Sequence, residues 1–131
     1  MKIWPRSASP ASWISSTARQ STRWSSGTGS YAGQYVQVDF TGTVNLSTIT
    51  LDNSNDGSTN DFPGTYAVYT SQDGVNFSTT AVATGSGSAG KTVISFTQEP
   101  LRAIRIQATS TNGSGGWWSI GDIQTDCNLS F

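Results

Sequence analysis

Few residues in this chain could carry covalent chemistry. Its 131 residues include no His and a single Cys, Cys127. A Ser-His-Asp or Cys-His catalytic arrangement is excluded, as are a Cys/His zinc site and an intrachain disulfide. Glu99 is the only Glu and sits in the turn Gln98-Glu99-Pro100, while the Asp residues fall mainly in turns and at strand ends. Hydrolysis of a glycosidic bond calls for two facing carboxylates, the acid with a raised pKa. No such pair can be assembled here, so no catalytic residue is assigned and the chain is expected not to be an enzyme.

Aromatic rings set among small polar loops are what the sequence does offer. Tyr31 is the only large side chain of the loop Ser25–Gly33, and its neighbours cannot easily bury it. The loop Asp52–Asp61 is dense in short amides and carboxylates. Trp117 and Trp118 are adjacent, so on a strand they face opposite ways, at the end of the Gly-rich loop Ser110–Gly116. An exposed ring can stack on the C–H face of a ring compound while polar side chains pair with its hydroxyls. The plainer uses of the same residues are turn closure by Asn and Asp, and a ring laid as a lid over the core.

The elements that must position these residues are strands. Charged residues are 11% of the chain, with 7 Lys+Arg against 8 Asp+Glu and a net charge of -1. That balance gives no electrostatic basis for binding nucleic acid or a membrane surface. No apolar run approaches the roughly 20 residues of a membrane span. Ser, Thr and 14 Gly favour strands and turns, while five Trp, four Tyr and five Phe supply a core for one domain over 1–131. Alternation predicts strands at Gln34–Phe40, Val44–Leu51, Tyr66–Thr70, Lys91–Thr97, Arg102–Ala108 and Trp118–Ile123. Polar turns are expected at Ser25–Gly33, Asp52–Asp61, Gly85–Gly90 and Ser110–Gly116, and loops without strands before Trp24. The fold class is all-β, an antiparallel sandwich or barrel.

Three segments in this order look familiar: Thr22-Arg23-Trp24-Ser25-Ser26-Gly27 leading into Gly33–Phe40, Asn60–Gly74, and Arg102–Ile106 leading to Trp117–Ile123. From about Trp4 to Gln124 the chain resembles the discoidin, or coagulation-factor C-type, domain, and most of all the family 32 carbohydrate-binding modules of bacterial glycan-degrading enzymes. The resemblance implies a jelly-roll β-sandwich of two antiparallel sheets that binds an oligo- or polysaccharide, without catalysis, through loops at one end. It points to Tyr31, Asn60 and Trp117 as ligand contacts, with Asp52, Asn55 and Arg23 beside them. Trp24 and Trp118 are then core, Trp4 is a packing residue near the termini, and Trp13 and Phe62 either line the site or cap the core. A free-standing lectin is one form of this reading. A protein- or phospholipid-binding adhesion domain is the alternative.

The sequence departs from the family in two places. The calcium loop, usually Asp-Gly-Asn, is matched by Thr17-Ala18-Arg19-Gln20-Ser21, so no cofactor is assigned. Arg19 is expected to stand in for the cation and pair with Asp122; calcium held by backbone carbonyls is the alternative. The His that galactose-binding members often carry in the Tyr31 loop is absent, which weakens a galactose assignment. Met1–Pro5 does not read as a signal peptide. The expected setting is nonetheless extracellular, in a larger protein with a glycan-degrading catalytic domain, a cytosolic lectin being the alternative. Sequons at Asn45, Asn76, Asn112 and Asn128 and the thiol of Cys127 are expected to have no role in binding.

Overall fold

In the computed structural model, residues 2–6, 14–15, 24–54, 59–112 and 116–126 are described. Among them lie nine strands and no helix, hence none long and apolar enough to cross a membrane. They are β1 (Lys2–Arg6), β2 (Ile14–Ser15), β3 (Trp24–Gly29), β4 (Tyr35–Asp52), β5 (Thr65–Ser71), β6 (Ala83–Ser86), β7 (Lys91–Ala108), β8 (Trp117–Ile120) and β9 (Asp122–Thr125).

Two long strands organise the sandwich. β4 and β7 each run 18 residues and pair with one another antiparallel. Register shifts between Asp39 and Val44 and between Leu46 and Thr48 break the ladder, as bulges do when a strand must bend. The bends divide each strand between partners. The first half of β4 pairs with β1, and the second half of β7 pairs with β5, which carries β6 on its other edge. The far half of β4 pairs with β9. A separate ribbon of β3 and β8 completes the jelly-roll β-sandwich.

Burial follows the alternation. Val36, Val38, Ile49, Leu51, Val68, Ile94, Ile104, Ile106, Ile120 and Ile123 point between the layers. Trp24 and Trp118 close one side of this core as an edge-to-face pair, ring centroids 5.7 Å apart and planes at 82°.

Several expectations need correcting. Gln34–Phe40 and Val44–Leu51 belong to one bent strand, as do Lys91–Thr97 and Arg102–Ala108. Trp118–Ile123 is two strands that diverge at Gly121. Strands also occur before Trp24, at β1 and β2, and β3 occupies half of the segment read as the turn Ser25–Gly33. β3 has no apolar alternation after Trp24; it is extended because β8 lies against it.

Candidate functional site: the tip carrying Tyr31 and Trp117

The β3–β8 ribbon sets the two exposed rings. Trp24 pairs with Ile120, Ser25 with Ser119 and Gly29 with Trp117, with a register shift between Ser25 and Gly29. Gly27 takes φ 68° within that shift, a left-handed conformation that favours glycine and produces the bulge. Trp118 is held inward, 1% exposed, its backbone N–H donating to Ser26 Oγ at 3.0 Å. Strand alternation then turns Trp117 outward, 44% exposed.

Tyr31 follows directly. The N–H of Ser30 donates to the Gly116 carbonyl at 3.1 Å, tying the residue before Tyr31 to the residue before Trp117. The loop then closes as Gly33 N–H donates to Ala108 O and Ala108 N–H to Gln34 O, each at 2.8 Å. Tyr31 is left 42% exposed. Beneath it, Ser30 Oγ and both polar atoms of the Gln34 carboxamide are buried with no protein hydrogen-bond partner.

The wall beside Trp117 is built from 59–64. Asn112 Nδ2 donates to the Asn60 carbonyl at 2.8 Å, and Asn53 Nδ2 to the Asp61 carbonyl at 2.9 Å. Ser119 donates its N–H to Asp61 O at 3.2 Å and its hydroxyl to Asp61 Oδ2 at 2.8 Å. A Cβ at Gly116 would lie 3.0 Å from Asn60 O and 3.3 Å from Asp61 Oδ1, so this glycine allows the two segments to touch. A side chain at Gly87 would likewise strike the Pro63 carbonyl and the ring of Phe62, which braces the loop from behind. The exposed Asn60 therefore stands beside Gly116 and Trp117. Asp61, half-buried at the same spot, was not singled out by the sequence reading. The signal for it was its place next to Asn60 at the foot of the same polar loop.

Asp52 does not join this group. It is 7% exposed, and its Oδ1 accepts the Ser54 N–H at 2.8 Å and the Ser54 hydroxyl at 2.6 Å. Lys91 Nζ lies 3.5 Å from Oδ2. Burial pushes this carboxyl up, but the Ser54 donors and the Lys91 ammonium outweigh it and hold the group below its ordinary range. Asp52 is a turn-closing residue, reached by Lys91 from the start of β7. Asn55 and Arg23 lie outside the described residues, as do Trp13, Arg19, Cys127 and Asn128; nothing is described of the Trp4 side chain.

The described residues do not fit a carboxylate-bound calcium. No three Asp, Glu or Cys converge among them, and Asp122 Oδ2 accepts the Gln124 side-chain amide at 3.2 Å.

A jelly-roll with exposed rings and polar loops gathered at one tip is the architecture of discoidin-type modules. The F5/8 type C domain profile matches residues 5–123, and the chain belongs to that family. No curated protein sequence matches it. Among solved structures it is similar to a family 32 module from Clostridium perfringens in complex with GalNAc-β-1,3-galactose, with a TM-score of 0.66, 18% identity, and 83% of this chain and 78% of that one covered. The family 32 module of C. perfringens NanJ in complex with galactose gives 0.65, 19%, 83% and 79%. Chitosan-binding module 2 of a chitosanase/glucanase from Paenibacillus sp. IK-5, in complex with chitotriose, gives 0.64, 19%, 83% and 80%.

Proposed function

We propose that this domain is a non-catalytic saccharide-binding module whose ligand lies across Tyr31, Asn60 and Trp117. The observation that carries the reading is the pairing of Gly29 with Trp117 and of Ser30 with Gly116, which sets two solvent-facing rings on neighbouring strands beside a polar wall. Rings so placed stack on sugar C–H faces, and the Asn60 amide and the Asp61 carboxylate supply partners for hydroxyls. Binding without catalysis fits the carboxylates at this tip. Asp52 is enclosed by Ser54 and Lys91, which leaves Asp61 without a facing partner for acid–base work. A phospholipid surface would call for basic loops, and 30–34, 59–64 and 109–112 contain no Lys or Arg. In a longer secreted protein, the module would hold a glycan-degrading domain against an insoluble polymer and raise its effective concentration there.

Retention on insoluble polysaccharides, guided by a glycan array, tests the reading. Trp117→Ala is expected to weaken retention by about thirtyfold or more, the effect of losing a central aromatic contact, with the melting temperature unchanged. Full retention by a folded Trp117→Ala variant, or sedimentation of the parent with anionic liposomes, would overturn it.

A further inference from the structure

A second concavity lies at the opposite end of the sandwich. Thr65, at the start of β5, is bonded to Ser110 and Thr109 at the Tyr31 end, whereas Thr70 and Ser71 lie about 20 Å farther along the strand. There the segment after β5 and the bend of β7 enclose a cleft of about 470 Å³. We propose that this cleft binds a sugar residue independently of the Tyr31–Trp117 tip, making the module bivalent. The proposal goes beyond the reading above, because none of its residues belongs to that tip.

The lining offers unspent donors and acceptors around one ring. Glu99 Oε1 accepts the Thr70 hydroxyl at 2.7 Å, and no protein donor meets Oε2. Ser78 Oγ accepts the Thr70 N–H at 3.2 Å and keeps its own hydroxyl hydrogen. Asn76 Nδ2 is used on Asp73 at 2.7 Å, which leaves Asn76 Oδ1, and the Gln72 amide is exposed. Phe77 supplies an aromatic wall. A mixed set of donors and acceptors beside a ring suits a polyhydroxylated pyranose better than an apolar or purely ionic ligand, and the volume lies in the range of ligand clefts.

The cleft is also held in shape. Asp73 Oδ1 accepts the N–H groups of Val75 and Asn76 at 2.8 and 2.7 Å and the Ser71 hydroxyl at 2.9 Å. Gly74, at φ 83°, donates its N–H to Ser71 Oγ at 2.9 Å. The Arg105 guanidinium lies 4.2 Å from the Phe77 ring and 4.4 Å from that of Tyr35, and donates to Gln37 Oε1 at 2.9 Å. Phe77 is thus pinned by a cation that is itself anchored on the sheet. The same bonds argue against hydrolysis in this cleft: Asp73 is saturated by its own loop and has no lone pair positioned to attack or proton to give.

Amide chemical shifts during titration with chitotriose, galactose and glucose test the proposal. At least one sugar is expected to move the signals of Gln72, Asn76, Ser78 and Glu99, and to do so equally in Trp117→Ala. Glu99→Gln and Gln72→Ala should each weaken that response about tenfold, the usual loss for a hydrogen bond to a charged or exposed polar partner, with the signals of Tyr31 and Trp117 unaffected. Gln72 has no structural bond to lose, so its variant guards against a folding defect in Glu99→Gln. Three results would overturn the proposal: no response at these residues to any of the sugars, a response that vanishes in Trp117→Ala, or hydrolysis of chromogenic glycosides that Glu99→Gln abolishes. Failure at the Tyr31 tip with a response here would instead strike only the earlier reading.

Discussion

Trp117 and Trp118 divide two tasks between neighbouring side chains. Trp118 fills the space against Trp24, and its truncation opens a cavity that a packed core cannot close. Trp118→Ala is expected to cost about 3–5 kcal/mol, read by chemical denaturation, whereas Trp117→Ala should leave the denaturation midpoint in place. Gln34 poses the opposite problem. Its carboxamide is enclosed with both polar atoms unpaired, a cost that a shape-matched apolar residue avoids. Gln34→Met is expected to raise the melting temperature by a few degrees, about 1 kcal/mol of gain, without altering the path of the Tyr31 loop. Adjacency in a strand made the opposed fates of the two tryptophans legible in the sequence. The burial of Asp52 was not legible: whether a loop carboxylate faces in or out depends on Ser54 and on Lys91, which comes from a strand 39 residues away.

Among the elements, alternation located the inward faces of β4, β5 and β7 but not their continuity. Gly42 and Pro100 read as chain breaks, yet both sit within strands that bend and keep pairing on either side. β3 and β6 escaped notice because Ser, Thr, Ala and Gly leave no apolar period; their extended form is imposed by Trp117–Ile120 and by β5. The turn after β5 was legible from Asp73-Gly74, and its bonds have a consequence for acid stability. The Asn76 and Val75 amides, then the Asn76 and Ser71 side chains, hold the Asp73 carboxyl well below the usual carboxylate range. The Ser47 hydroxyl, with the Thr48 and Ser47 amides, does the same for Asp126 where β9 ends against β4. A carboxyl whose pKa is depressed in the folded state stabilises fully above its unfolded pKa and loses that contribution as pH falls. The melting temperature should therefore hold from pH 7 to about 5 and decline below about 4, and Asp73→Ala should melt lower at pH 7 with a shallower acid decline. An unchanged acid slope in that variant would show that the turn is not the source.

For the molecule as a whole, the two ends are stiffened in different ways. The far cleft is shaped by side chains gathered on Asp73 and Arg105. The Tyr31 tip is stitched mostly through main chain: Gly87 N–H to Gly64 O, Gly90 N–H to Thr59 O and Asn53 N–H to Gly90 O, at 3.0, 2.9 and 2.8 Å. A surface already frozen has little to rearrange when a chain lands on it, so the encounter is limited mainly by diffusion and orientation. Weak affinity then resides in the departure rate. Such a module lets go often and lands again nearby, so an attached partner would graze along a polymer rather than stay moored at one spot.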